Sequence, residues 1–518
     1  MKLTCSFLPL FAAFLHLAVG HPSNVNGDAG LLKPRRTTSL LISPPGIPPL
    51  PQAQPPAARV AAQASTTTPL NLDNIQGDIL VGQKKNKELF FFFSINDATT
   101  FKSKLQSDIG ALITSTNQLL SVSTQPLTAV NIAFSKTGLD TLGITDDLGD
   151  KIFNVGQEAT ASAMGDDLNN WLPVFLNQTI HGLFILFSDT EANIDSELAN
   201  IQSILGTSIT ELYRLAGAAR PGSEAGHEHF GFLDGVAQPA LEGFDTTVLP
   251  GQFLIPPGII IVGADGDLFP DSRPDWAKDG SFLAFRQLQQ LVPEFNQFLT
   301  NNPLPVPGLT PAQGSELLGA RMIGRWKSGA PVDLTPLQDD PVLGADPTRN
   351  NNFTYMHPGF DFTSDQTHCP FAAHTRKAFP RADFPAPEVI VQNHMIRSGL
   401  PYGPEVTDAE AASGTTSTDR GLAFVAYQDD INNGMFFVQS NWFDIPGFIF
   451  GKSDPTPGYD PILGQIVTAS GQTGPRFTSG LDPTDPDRDF TLPDFIISRG
   501  GEYFFSPPIS AITAGLNV

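Results

Sequence analysis

The chain has 518 residues, 40% of them hydrophobic and including 39 Phe, enough for two or three domains with sizeable cores. Acidic residues outnumber basic ones 53 to 30, a net charge of −23 that argues against a nucleic-acid or anionic-membrane partner. Two cysteines exclude a disulfide scaffold and a four-cysteine metal centre, and past the N-terminus no apolar run reaches the roughly 18 residues of a bilayer span.

Residues 1–20 read as a secretory signal peptide: Lys2, an apolar core from Phe7 to Leu17, then the small residues Ala18 and Gly20. This assigns an extracellular destination and removes Cys5, leaving Cys369. Residues 21–65 read as a Pro-rich pro-segment, extended rather than packed, with Arg35-Arg36 as its processing site. Glycosylation sequons at Asn177 and Asn352 fit the same compartment.

From residue 66 the pattern is β-α-β, twice. Residues 88–94 form a buried strand, 96–115 a helix, 129–134 a second strand and 181–187 a third. Ile194, Leu198, Ile201 and Leu205 then mark an amphipathic helix before a strand at 209–214. This is the ferredoxin-like arrangement and defines an N-terminal domain, 66–245. The second half, 246–518, repeats it more loosely, with strands at 257–263, 281–290, 421–427 and 494–506 and helices at 311–324 and 430–441. Residues 326–392 read as long ordered loop, the kind that carries function. The fold class is α+β, two tandem ferredoxin-like domains of antiparallel sheet and helices.

Three segments carry candidate chemistry. In Gly231-Phe-Leu-Asp-Gly235, Asp234 sits between glycines in an apolar stretch, either as an Asx-turn or as a carboxylate serving a ligand. In His368-Cys-Pro-Phe-Ala-Ala-His374, three readings stand side by side. His374 holds a haem iron, Cys369 does so as a thiolate, or His368, Cys369 and His374 join His227 and His229 at a zinc ion. Arg397 lies in an apolar setting before a Gly/Pro turn and needs an anion, which Asp234 supplies across a cavity or in a salt bridge. No Cys-x-x-Cys-His occurs, so any haem is held non-covalently.

These motifs, with Cys369-Pro-Phe-Ala-Ala-His-Thr-Arg-Lys377, Arg397-Ser-Gly-Leu-Pro-Tyr402, Gly421-Leu-Ala-Phe-Val-Ala-Tyr427 and Gly458-Tyr-Asp-Pro-Ile-Leu-Gly-Gln465, resemble the dye-decolorizing peroxidase family in its secreted fungal branch. The resemblance spans residue 70 to the C-terminus. It implies one haem b per chain in the second half, with hydrogen peroxide and aromatic reducing substrates as partners and a monomeric enzyme. It matches Asp234 to the distal acid-base carboxylate, Arg397 to the distal arginine and His374 to the proximal iron ligand. Asp460 matches the carboxylate behind that histidine, and Leu422 and Phe424 the apolar pair of the distal pocket. Trp442 and Tyr402 fall where relatives place surface residues that pass electrons from bulky dyes. The alternatives are a haem-thiolate peroxygenase or haloperoxidase using Cys369, and a secreted haem-binding protein without activity. A hydrolase is disfavoured by the lack of a Gly-x-Ser-x-Gly elbow or a catalytic carboxylate pair.

Overall fold

A computed structural model describes residues 68–81, 86–121, 123–384, 387–452, 455–466 and 476–518. The signal segment and the Pro-rich segment with Arg35-Arg36 lie outside the described residues.

In the first half, β1 (Lys87–Ile95) is followed by α1 (Ala98–Ser107), whose N-terminus is capped by the Asp97 side chain accepting from the Thr100 amide. Next come β2 (Ala129–Phe134) and, after short helical turns, β3 (Gly182–Ser188). Then α2 (Glu191–Leu205) buries Ile194, Leu198, Ile201 and Leu205 as its spacing requires, and β4 (Ile209–Ala218) ends the half. The second half opens with β5 (Ser281–Gln290), then α3 (Val292–Asn301) and α4 (Pro311–Ile323). A single-turn helix, α5 (His374–Ala378), precedes the short strands β6 (Ile396–Arg397) and β7 (Leu400–Tyr402). The half closes with β8 (Gly421–Gln428) and β9 (Ile496–Ser506).

The strands run in the order β5-β9-β2-β3-β1-β4-β7-β8-β6, and β5 also pairs with β8. Within each half the order is fourth-first-third-second, the ferredoxin-like order, with every barrel pairing antiparallel. The halves meet at two seams, Gly217 opposite Tyr402 and Phe134 opposite Phe505. Two open sheets thereby become one closed barrel, which leaves no long unpaired edge.

Alternation along the strands sorts the phenylalanines. Phe90 and Phe92 reach across the interior to Phe285, with ring centroids 5.1 and 5.0 Å apart, although β1 and β5 are not neighbours in the sheet. Phe93 faces outward and packs on Phe101 of α1 at 5.7 Å. Each such side chain contributes about 1.5–3 kcal/mol by burial, so both faces of the wall are stabilised. The same parity puts Ala423, Val425 and Tyr427 of β8 inside and Leu422 and Phe424 on the outer face. The functional cavity is built on that outer face.

Three expected elements differ. Residues 257–263 are not a strand; Pro257–Ile259 is a 3-10 turn in which the Ile260 amide bonds to Pro257. Pro256-Pro257-Gly258 cannot feed a sheet ladder, although Ile259 to Val262 are buried like strand residues. The helix at 430–441 is a turn over Asn432-Asn433-Gly434, one α-turn at Met435–Phe437 and a π-helix at Val438–Phe443. The helix over 96–115 stops at Ser107, followed by a 3-10 turn at Ile109–Ala111.

Candidate active site

One cavity gathers His374, Asp234, Arg397, Leu422, Phe424 and Trp442. His374 is the first residue of α5, and its ring lies 5.2 Å from that of Phe443. Its Nδ1–H donates to Asp460 Oδ2 at 2.9 Å, which leaves the Nε2 lone pair free on a ring that lines the cavity. Asp460 is fully buried, and its Oδ1 accepts the amides of Ile462 and Leu463, each at 2.8 Å. Burial works against the carboxylate, but His374 and the two amides outweigh it and hold the carboxyl below its usual range.

Asp234 and Arg397 arrive from different elements and are docked by Gln238. The Gln238 side chain donates to the Arg397 carbonyl at 2.7 Å and accepts from the Arg397 amide at 3.3 Å, fixing the Asp234 loop against β6. Gly235, with φ +74, turns the chain directly after Asp234, and its amide donates to Asp234 Oδ1 at 2.6 Å. Gly399 lets β6 and β7 lie along β8, since a Cβ there would sit 2.2 Å from the Ala423 carbonyl oxygen. The Arg397 guanidinium donates to the Ala237 carbonyl at 2.5 Å. Burial draws its pKa down and the charge of Asp234 opposes that fall, yet no ion pair within 4 Å joins the two side chains. They are an electrostatic pair with a gap between them, rather than a structural salt bridge.

The remaining wall carries residues without a local sequence signal. Arg325 and Arg381 are buried with no carboxylate partner; both donate to backbone carbonyls and to Asn351 Oδ1. Burial, with Arg381 alongside, pulls Arg325 down to about 9. Buried nitrogens of three wall residues, Arg286 Nε, Arg381 Nε and His394 Nε2, have no hydrogen-bond partner.

Several expectations need correction. Cys369 is fully buried, lies off the cavity lining, and burial pushes its thiol up to about 12, so it is no thiolate ligand. No zinc cluster forms among the described residues. Trp442 and Tyr402 are not surface residues: each is 4% exposed. Trp442 lies in the cavity wall, stacked on Phe448 at 5.2 Å, and Phe448 meets the 67%-exposed Phe450 at 5.5 Å. Tyr402 belongs to the barrel core, and its hydroxyl donates to Asp419 at 2.9 Å. Asn177 and Asn352 of the sequons are exposed.

Residues 74–221 match the family model described as the DyP dimeric alpha+beta barrel domain, and 230–448 match that of the Dyp-type peroxidase C-terminal region. The chain is 58% identical over 499 residues to a dye-decolorizing peroxidase of Mycena epipterygia, covering 93% of this chain and 92% of the relative. It is 53% identical to dye-decolorizing peroxidase AauDyP1 of Auricularia auricula-judae, covering 98% and 97%. The chain belongs to the dye-decolorizing peroxidase family. The crystal structure of the fungal DyP-type peroxidase from Auricularia auricula-judae superposes with a TM-score of 0.83 at 54% identity, covering 87% of this chain and all of that one.

Peroxidases of this family bind haem, and the residues present fit it. Porphyrin supplies four ring nitrogens of its own, so one free imidazole nitrogen in an apolar wall would suffice, and His374 Nε2 is such a nitrogen. The uncompensated guanidiniums of Arg325 and Arg381 suit the two carboxylates that such a ring carries. No helix among the described residues is long and apolar enough to cross a membrane.

Proposed function

We propose that in this haem peroxidase His374 holds the iron, Asp234 moves the peroxide proton and Arg397 stabilises the charge that develops as the O–O bond breaks. One observation carries the reading: a single cavity brings together an imidazole with its Nε2 free, a carboxylate and a guanidinium that do not neutralise each other by contact. Haem b, bound non-covalently and one per chain, supplies the redox-active iron at which hydrogen peroxide is cleaved. Asp234, open to the cavity, takes the proton from one peroxide oxygen as base and returns it to the leaving oxygen as acid. Arg397 orients the peroxide and meets negative charge on the departing oxygen. Asp460 fixes the Nδ1–H tautomer of His374 and makes its imidazole more electron-donating. Leu422 and Phe424 close the cavity to bulky donors, so dyes and phenolics deliver electrons from outside, with Trp442 as relay. The chain of ring contacts Trp442, Phe448 and Phe450, stacked and then edge-to-face, supports that route better than Tyr402, which sits on the barrel side.

Both halves of the barrel come from one chain, so closing it needs no second copy. The signal-like N-terminus and the exposed sequons support an extracellular glycoprotein.

The test is spectroscopic and kinetic. His374→Ala abolishes the Soret band of haem-supplemented protein, and Asp234→Asn keeps it while lowering peroxide-driven turnover by about 10²–10⁴-fold. A Soret band that survives His374→Ala, or near-normal turnover in Asp234→Asn, ends the proposal.

A further inference from the structure

Asp234 shares its loop with a second carboxylate. Glu228 lines the same cavity, and both of its oxygens are engaged. Oε1 accepts the Phe232 amide at 2.8 Å; Oε2 accepts the Phe230 amide at 2.8 Å and Gln290 Nε2 at 2.5 Å. The backbone folds round these bonds: the Gly231 amide donates to the Glu228 carbonyl at 2.9 Å, and the Glu228 amide donates to the Phe232 carbonyl at 3.1 Å. The bend that delivers the chain to Asp234 is therefore built on this one side chain.

The charged groups around it leave it without a cation of its own. Arg220 donates to the Glu228 carbonyl at 2.7 Å, but its charge is matched by Glu224 and Glu405. His227 and His229 flank it in sequence, and burial draws the pKa of both imidazoles down. Lys327 gives its carbonyl to the Leu233 amide and sets its ammonium 6.0 Å from the Phe232 ring. Arg286 of β5 is paired with Asp166 at 2.6 Å, and Arg397 of β6 faces Asp234. Burial pushes the Glu228 carboxyl above its usual range, and the charge of Asp234 pushes it the same way. Three N–H donors work against those two effects without reversing them, so Glu228 bears on Asp234 through its hydrogen bonds and not through a charge of its own.

We propose that Glu228 is a positioning residue for Asp234, setting through its hydrogen bonds the bend that presents the Asp234 carboxylate to the cavity. This rests on Asp234 as the proton-transfer group, and the experiment separates the two claims. The haem-loaded enzyme is mixed with hydrogen peroxide in a stopped-flow instrument, and the rate of spectral change is followed from about pH 2.5 to 7. Glu228→Ala removes the acceptor of all three bonds, retains the Soret band and slows the reaction with peroxide by about 10²-fold or more, within the range of a misplaced proton-transfer group. Glu228→Gln keeps one acceptor oxygen for a backbone amide and recovers part of that rate. It also carries the test, with a smaller loss, where Glu228→Ala fails to take up haem. Wild-type rates in the haem-loaded variants overturn the proposal, and so does a Glu228→Gln no faster than Glu228→Ala, since the rescue follows the acceptor oxygen and not the bulk of the side chain. Should Asp234→Asn react at the wild-type rate, the reading of Asp234 fails first and the inference falls with it.

Discussion

The carboxylate behind the imidazole is the sharpest point at which to perturb the site. Asp460 accepts three hydrogen bonds in a fully buried position: His374 Nδ1–H on one oxygen, the Ile462 and Leu463 amides on the other. Asp460→Asn is nearly isosteric but has one acceptor oxygen instead of two. Its amide oxygen stays with the two backbone N–H groups, so its NH2 must face His374 Nδ1. Two donors cannot share that position, and the ring responds by moving its proton to Nε2, the nitrogen needed for iron. Charge-assisted bonds of this kind are worth about 1.5–3 kcal/mol. The expected cost is therefore about 10–100-fold in haem affinity, the usual range for a carboxylate behind a metal-bound histidine. Where haem stays bound, the imidazole donates less and the Fe(III)/Fe(II) midpoint rises. One tenfold change in that equilibrium is about 59 mV for one electron. Haem titration and spectroelectrochemistry of Asp460→Asn read both quantities. Wild-type affinity together with an unmoved midpoint would refute the coupling between Asp460 and the iron ligand.

Three further outcomes follow from the same geometry. Trp442→Phe lowers turnover of large dyes more than that of small phenols, checked by kcat/KM for one of each; equal losses remove Trp442 as relay. Peroxide-driven turnover peaks in acid, at about pH 3–5, because the reference ionisation of a carboxyl lies about 2.6 pH units below that of an imidazole, so a carboxylate base works where a histidine base would be charged; an optimum near neutrality excludes Asp234 as the working base. The third concerns stability. Burial pushes Glu502 up to about 7, above the 4.5 of a free Glu. A pKa raised on folding contributes stability that is complete below the unfolded value and is lost as pH climbs through the folded one, here between about 4.5 and 7. Glu502→Gln should leave thermal unfolding unchanged at pH 4 and raise stability at pH 7.5 by up to about 3 kcal/mol. Equal melting temperatures at pH 7.5 would show that this carboxyl ionises without penalty.

Local signals carried most of the first half. The runs at 88–94 and 181–187 and the spacing of Ile194, Leu198, Ile201 and Leu205 each report burial that a neighbouring element satisfies, and those elements stand as expected. Asp234 and His374 line one cavity, but glycines around a carboxylate and a rare histidine left a structural turn and a structural histidine open, and only the run of motifs in order brought the two together. Barrel closure was not legible, because the pairs Gly217–Tyr402 and Phe134–Phe505 join strands hundreds of residues apart with no turn to fix their register. Arg325, Arg381 and Gln238 had no signal either, since their partners are backbone carbonyls that any sequence provides. The missed α3 did carry one: Pro293 in the first turn, then Phe295 and Leu299 at helical spacing.

Asp460 also shows that the site extends beyond the segment in which its other groups lie. The matched C-terminal region ends at residue 448, yet the carboxylate that orients His374 comes twelve residues later. What holds it there is Arg476, fully buried at the start of a strand at 476–478 that pairs with 490–492. Its guanidinium donates to the carbonyls of Asp460 at 3.2 Å, Pro493 at 2.9 Å and Gly464, pinning the ends of the turn that carries the carboxylate. A carboxylate on an untethered loop would shed its buried bond to His374 for water at small cost, and the tautomer of that imidazole would no longer be set. On the proposed reading of His374, the C-terminal hairpin serves the site without lining the cavity: it reaches the imidazole through one arginine and one aspartate.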